Sequence, residues 1–511
     1  LSFQVEREDI SNKGEWEIIS FHYYHHQAIN SSKFLFFAAI SRVASRQPLN
    51  QPQILETVNT FAMQKNILIK NINIINEGCT KVADVLIGQG MIRKIGDLHD
   101  VIANRTIDGT GKYLFPGIID GQVHFREPGL THKGDLYTES RAAVAGGVTS
   151  FIDMPNTVPN VLKMDILLEK YRIAAEKSLA NFGFFLGVNG DNLEEVLRTD
   201  TSGLLAVSDD GLYFTKKGNL LADNPDTMER LFAGCKSIIA IHSEKEQLVE
   251  ANENAYREQY GENVPVGFHP LIRSERACLE ATERAIALAQ KHGARLHILH
   301  LSTAAETHLF RNDIPLREKK ITTEVSVHHL WFSDKDYARL GTLIKWNPAI
   351  KTEKDKESLL QALIDDRIDL VTTDHAPHTL EEKLQPYFKA MSGAPIIQHS
   401  LNIMLEFYRQ GKISMEKIAE KMCHNPAILY DIERRGFIRE GYFADLAIVD
   451  LDASWTVSKE NILFKCGWSP LEGTTFHSKV THTFVNGHLV YENGHFDDSV
   501  KGMALTKNAN S

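Results

Sequence analysis

Histidines and carboxylates recur in this chain just past short apolar runs, at places where a metal ion could be held. Asp120-Gly-Gln122-Val-His124-Phe-Arg126 continues the pair Ile118-Ile119, and Ser208-Asp209-Asp210-Gly211 follows Leu204–Val207. His242 ends the run from Ile238, His300 the run from Leu296, and Asp374-His375-Ala-Pro-His378 follows Leu370–Thr373. Imidazole and carboxylate suit zinc and similar ions, and a catalytic ion keeps one position open for water. Such an ion lowers the pKa of water from 15.7 toward about 7, which supplies a nucleophile at neutral pH. One histidine at a strand end is commonplace; His124, His242 and His300 together with Asp374 and a carboxylate of the Asp209-Asp210 pair imply a shared mouth. His297 and His300 lie three apart on one strand and cannot both face inward. His300 shares a face with Ser302, so His300 is the candidate and His297 a packing residue. His328 and His329 are read as structural.

Elements must bring these residues together. Apolar or β-branched runs ended by polar residues or glycine predict eight strands over about 117–435. They are Ile118–Phe125, Thr149–Met154, Phe182–Val188, Leu204–Val207, Ile238–His242, Leu296–Leu301, Thr322–Val327 and Leu370–Thr373. Helical patterns alternate with them; in Ser274–His292, Cys278, Ala281, Ala285 and Leu288 share a face and Gly293 is the stop signal. Eight β-α units are the count of a (β/α)8 barrel, whose chemistry sits at the C-terminal ends of the strands. On the first strand, a period of two puts Gln122, His124 and Arg126 on one face. A doubly wound open sheet requires a glycine-rich phosphate loop after its first strand, and none is there. Gly88-x-Gly90 and Gly109-Thr110-Gly111-Lys112 lack the full glycine spacing and read as turns.

The flanks differ. Ile67–Ile69, Val85–Ile87, Met91-Ile92, Ala444–Val449 and Val485–Tyr491 read as short strands, with Asn486-Gly487 a hairpin signal. Residues 63–116 and 436–505 are therefore expected to form a composite β-sandwich around a barrel of 117–435. Residues 1–62, with His22, Tyr23, Tyr24, His25 and His26 clustered and little periodicity, read as a poorly ordered extension. Met63 stands where a chain could start.

Of the 511 residues, 43% are hydrophobic and 24% charged, which excludes disorder. The net charge of −10, without basic blocks, argues against nucleic acid or an anionic membrane as partner. Five scattered cysteines without a CxxC pattern, and no apolar run near 18 residues, point to a soluble protein of the reducing cytoplasm.

The run Gly117-Ile-Ile-Asp120-Gly-Gln122-Val-His124-Phe-Arg126-Glu127-Pro128-Gly129 resembles the first metal motif of the dihydroorotases, in the amidohydrolase superfamily. The resemblance continues in order through Met154-Pro-Asn156-Thr157, Ser208-Asp-Asp210-Gly211, His297-Ile-Leu-His300-Leu-Ser302-Thr303, Lys345-Trp-Asn347-Pro348 and Thr373-Asp374-His-Ala-Pro-His378-Thr379. Glu382-Lys383, Pro386-Tyr387 and Ser392-Gly393 follow, and the whole covers about 65–495. It implies a barrel with a composite β-sandwich and reversible closure of N-carbamoyl-L-aspartate to L-dihydroorotate, the third step of pyrimidine synthesis. It implies His124, Asp210, His242, His300 and Asp374 as ligands of one or two zinc ions, with Asp374 also the acid/base. Asp209 is the alternative to Asp210 as bridging ligand. His124, Arg126, Asn156 and His378 would meet the substrate, the last three its carboxylate; Asn347 and the backbone of Ser392-Gly393 would fix the ring amide. The implied partner is a small anionic substrate, and a homodimer is a family-level expectation.

Three departures bear on this reading. Gln122 stands where the motif usually has histidine, and a carboxamide oxygen is a much poorer zinc ligand. Asp209-Asp210 replaces the usual carboxylated lysine. Ser243-Glu244-Lys245 stands where Cys-Glu-Asp is commoner. A non-catalytic homologue acting as a structural partner, and a hydantoinase- or allantoinase-like cyclic amidase, are the other readings.

Overall fold

The computed structural model describes residues 66–201, 203–212, 221 and 224–508. The expected extension at 1–62 lies outside the described residues. Five strands open the described chain: β1 (Ile67–Asn76), β2 (Cys79–Gly88), β3 (Met91–Gly96), β4 (Arg105–Asp108) and β5 (Tyr113–Pro116). Ile67, Ile69, Ile72 and Ile74 of β1 all join one apolar cluster. Their alternation slips once, between Ile69 and Ile72, where Asn71 turns to φ 53° and a bulge returns the apolar residues to the same face. The β2–β3 turn is centred on Gln89 (φ 52°) and Gly90 (φ 79°), while Gly88 ends the strand.

The middle of the chain carries β6 (Ile118–Val123), β7 (Val148–Asp153), β8 (Asn181–Phe184), β9 (Leu186–Gly187), β10 (Ala206–Ser208), β11 (Ile238–Ile241), β12 (Leu296–Ile298), β13 (Ile321–Ser326) and β14 (Leu370–Thr372). All pair in parallel, in the orders β6-β7-β8 and β9 through β14. The single strand expected at Phe182–Val188 breaks at Phe185 into β8 and β9, so eight strand positions line the barrel. Val123 bridges His375, and the His124 N–H donates to the His375 carbonyl at 2.8 Å, which closes the first strand onto the last. Helices alternate with these strands. Glu275–His292 is capped by Ser274, which accepts from the Ala277 N–H, and stops at Gly293 (φ 67°). The fold is an α/β barrel with an added sheet.

That sheet takes strands from both ends of the described chain. β15 (Leu446–Asp450), β16 (Trp455–Thr456), β17 (Thr475–Phe476), β18 (Lys479–Val485), β19 (His488–Glu492) and β20 (His495–Phe496) follow the barrel. The sheet order is β20-β19-β18-β15-β5-β1-β2-β3, with β4 also on β1; β16 and β17 pair separately. β15 runs antiparallel to β5, with Leu446 opposite Pro116, and joins the two ends. The β18–β19 turn has positive φ at both Asn486 (51°) and Gly487 (74°), the turn that an Asn-Gly pair favours. Leu114, Leu446, Ile448 and Phe484 join the β1 cluster. Phe115, Val449 and Val480, from alternate positions, pack into the core shared with the barrel. Among the described residues no helix is long and apolar enough to cross a membrane. The five cysteines are free.

A buried ion pair fixes the end of β7. Asp153 accepts from the Phe125 N–H at 2.9 Å and faces Lys170 Nζ at 2.7 Å; Lys170 also donates to the Met154 carbonyl at 3.0 Å. Both side chains are buried. Lys170→Met leaves the buried Asp153 carboxylate without its ion-pair partner, and denaturant unfolding is expected to show a loss of about 3–5 kcal/mol. An unchanged unfolding midpoint would show that the pair does not hold this end.

Candidate active site

All but β10 of the barrel strands stop short of the ends that the apolar runs predict, and this shortening makes the site. β6 stops at Val123, β12 at Ile298 and β14 at Thr372. Beyond them Arg126, His300 and Asp374 adopt φ of 69°, 34° and 46°, the left-handed region that residues with side chains rarely occupy. The parity argument for His297 and His300 fails for this reason. Leu296 and Ile298 pack outward into the large core, and Leu299 inward. His297 also faces the interior, between Thr322 Oγ1 at 2.9 Å and Glu324 Oε2 at 3.0 Å. The left-handed turn re-aims His300 inward as well. Likewise, Arg126 reaches the mouth through its backbone turn and not through strand periodicity.

Two groups of donors meet at the mouth, and Asp210 belongs to both. Asp210, His242 and His300 form one; His124, Asp210 and Asp374 form the other. Asp210 Oδ1 lies 3.5 Å from His242 Nδ1 and 3.8 Å from His300 Nε2, and its Oδ2 lies 3.3 Å from His124 Nε2. Asp374 Oδ1 is 3.1 Å from His124 Nε2. The neighbouring Asp209 is turned away: it accepts from the His242 N–H at 3.0 Å and the Leu221 N–H at 2.7 Å. Burial pushes the Asp209 carboxyl up to about 7.

The tautomers suit a cation. His242 Nε2 meets Glu244 Oε2 at 2.8 Å and donates to it, so Nδ1 presents a lone pair toward His300 Nε2, 3.1 Å away. His124 Nδ1 donates to Asn156 Oδ1 at 2.8 Å, leaving Nε2 toward the two carboxylates. Two ring nitrogens this close need a proton or a cation between them. Burial disfavours protonated His124 and His242, yet Asp210 with Asp374, and Asp210 with Glu244, raise them to about 9 and 10. His300 Nδ1 is buried without a hydrogen-bond partner among the described residues. The residues therefore fit a divalent ion at either group.

A cleft of about 280 Å³ opens over the donors, lined by His124, Arg126, Asn156, Asn347, Ser392 and Gly393 among others. Arg126 Nε donates to the Pro377 carbonyl at 3.0 Å, and Nη2 lies 3.1 Å from His378 Nε2. Lys133 Nζ approaches His378 from the other side, 3.0 Å from Nδ1, with Glu382 Oε1 also at 3.0 Å. Burial, then the Arg126 charge, holds His378 neutral, well below its ordinary value. Asn156 fits beneath Gly211 (φ 71°), where an added Cβ would stand 2.1 Å from Asn156 Nδ2. The Gly393 N–H is committed to the Lys345 carbonyl at 2.8 Å, so what Gly393 gives the cleft is room: a Cβ would meet Ala376 Cβ at 2.6 Å. Lys383, fully buried, donates to the carbonyls of Lys345, Met391 and Gly393 at 3.1, 2.8 and 2.7 Å and ties two walls together.

The sequence signature of the amidohydrolase family matches residues 113–490, the barrel with β5, β15, β18 and most of β19 from the added sheet. The chain belongs to the amidohydrolase family. A dihydroorotase of Trichlorobacter lovleyi is 32% identical over 436 residues, 83% of this chain and 99% of that one. An allantoinase of Bacillus velezensis is 30% identical over 444 residues, 84% of this chain and 95% of that one. The solved L-hydantoinase (dihydropyrimidinase) of Arthrobacter aurescens superposes with a TM-score of 0.79 at 26% identity, covering 87% of this amidohydrolase and all of its own chain.

Sequence reasoning did not find Trp346 or Ala376 as parts of this amidohydrolase's cleft, nor Lys133 behind His378, nor the tie made by Lys383. Trp346 and Ala376 line it directly, and His328 stacks on Trp346 at 4.1 Å between ring centres. Lys133 sits seven residues past Arg126 in a loop with no periodicity, and no local pattern marks it.

Proposed function

We propose that this chain is a dihydroorotase, which opens L-dihydroorotate reversibly to N-carbamoyl-L-aspartate in the third step of pyrimidine synthesis. Arg126 carries the reading. Its guanidinium is buried at the cleft, and among the described residues no carboxylate lies within ion-pair distance of it. A buried cation in that position calls for an anion from outside. Dihydroorotate brings a carboxylate; hydantoin and allantoin are neutral rings and leave Arg126 with only its Pro377 and His378 contacts and carboxylates at longer range.

The chain's own groups have distinct tasks. Arg126, Asn156 and His378 hold the carboxylate, and Asn347 with the Ser392 backbone meets the ring amide, in the room that Gly393 leaves. A divalent ion held by His124, Asp210, His242, His300 and Asp374, zinc being suited to such donors, would supply ionised water and polarise the ring carbonyl. Asp374 takes the proton of the attacking water and delivers it to the ring nitrogen as the carbon–nitrogen bond breaks. Glu244 fixes the His242 tautomer, itself held by an ion pair with Arg273. Glu244→Gln is expected to weaken metal retention about 10–100-fold, read by chelator competition; unaltered retention would remove Glu244 from the centre.

The deciding test is turnover by the purified protein with dihydroorotate and carbamoyl-aspartate, beside hydantoin and allantoin. Dihydroorotate should exceed the neutral rings about a hundredfold in kcat/KM, the worth of one buried charge-assisted contact. Preference for hydantoin or allantoin would make the chain a different cyclic amidase. No turnover of any ring would leave the non-catalytic homologue.

A further inference from the structure

Gln122 belongs to the donor cluster but cannot serve it as an imidazole would. Its side chain is fully buried, its Nε2 donates to Asp210 Oδ2 at 3.1 Å, and its Oε1 has no hydrogen-bond partner among the described residues. Asp210 is the carboxylate that both donor groups share. We infer that Gln122 makes the two groups unequal, so that Asp210, His242 and His300 hold a cation firmly and His124, Asp210 and Asp374 hold one only weakly. The inference rests on the metal-centre reading above and adds a stoichiometry to it.

The two oxygens of Asp210 see different neighbours. Oδ1 faces His242 Nδ1 and His300 Nε2, and Glu244 holds His242 in the tautomer that leaves Nδ1 free to bind. Two imidazoles and one carboxylate make a set that zinc favours. Oδ2 faces one imidazole, His124, and already accepts a hydrogen bond from the Gln122 amide. That N–H bears partial positive charge and draws on the same oxygen that a second cation would need. Turning the carboxamide over offers no remedy. Its oxygen would then approach a carboxylate oxygen, and its buried N–H groups would face a place where the present Oε1 finds no partner. A carboxamide oxygen aimed at the ion would still be a weaker ligand for zinc than imidazole.

The test counts metal and does not depend on turnover. The full chain is stripped with chelator, loaded with excess Zn2+, passed through gel filtration and analysed for zinc by mass spectrometry. The expected results are one zinc per chain in the native protein, two in Gln122→His, one in His124→Ala and none in His242→Ala. Two zinc ions retained by the native protein would overturn the inequality and leave the metal-centre reading standing. Loss of zinc in His124→Ala with retention in His242→Ala would reverse the assignment of the firm group, and overturn it equally. Zinc absent from every form would overturn the metal-centre reading itself. Circular dichroism checks each variant, and should Gln122→His not fold, the native protein, His124→Ala and His242→Ala decide the matter among themselves.

Discussion

Asp374→Asn is expected to lower kcat by about 10³–10⁴ in both directions of the reaction, with the fold unchanged. The exchange keeps shape and removes the ability to accept a proton. Asp374 is buried at the end of the last barrel strand, with its Oδ1 on His124 Nε2, and no ammonium or guanidinium pairs with it among the described residues. Burial raises its pKa above the ordinary carboxylate value, and His124 opposes that rise. A carboxyl so placed takes up a proton more readily than one in water, as a group that first accepts and then returns a proton needs. Stopped turnover with an unchanged circular dichroism spectrum and melting temperature is the expected outcome. A variant that kept its rate would show that another group moves the proton.

Arg126→Met should reduce kcat/KM for dihydroorotate by about a hundredfold or more, mainly through KM, while any slow turnover of hydantoin stays level. Methionine fills much of the same space without the charge. The comparison of the two rings separates lost charge from damaged structure, since a disturbed backbone would slow both. Arg126→Lys should recover only part of the loss, because an ammonium lacks the planar fork that meets both carboxylate oxygens. Equal losses on charged and neutral rings would mean that Arg126 shapes the cleft and does not select its ligand.

The barrel was legible because its signal is repetitive. Apolar runs such as Ile238–Ile241 and Leu370–Thr372 are buried on both faces, and their spacing by helical patterns leaves few alternatives. The strand ends were less legible. Whether Arg126, His300 and Asp374 stay in the ladder depends on backbone torsions that the rest of the barrel imposes, and residue type alone does not reveal them. Asp209 and Asp210 could not be told apart either, since which carboxylate turns to the backbone depends on Leu221 and His242. Lys133 and Lys383 were invisible as parts of the site for a further reason. Their partners, at Glu382 and at Lys345, Met391 and Gly393, are set by tertiary folding.

The pairing of β5 with β15 has a consequence for how the protein is made. Some 330 residues separate Pro116 from Leu446, roughly 16–66 s of ribosomal synthesis at about 5–20 residues per second. Through that interval β5 has β1 beside it but lacks its other neighbour, and the apolar cluster of the first strands lacks Leu446, Ile448 and Phe484. An open strand edge beside uncovered isoleucines is what chaperones bind and aggregates recruit. β1 and β5, made well before the barrel, are therefore among the last strands to gain their full surroundings, and any chain cut short within the barrel would carry this unfinished edge.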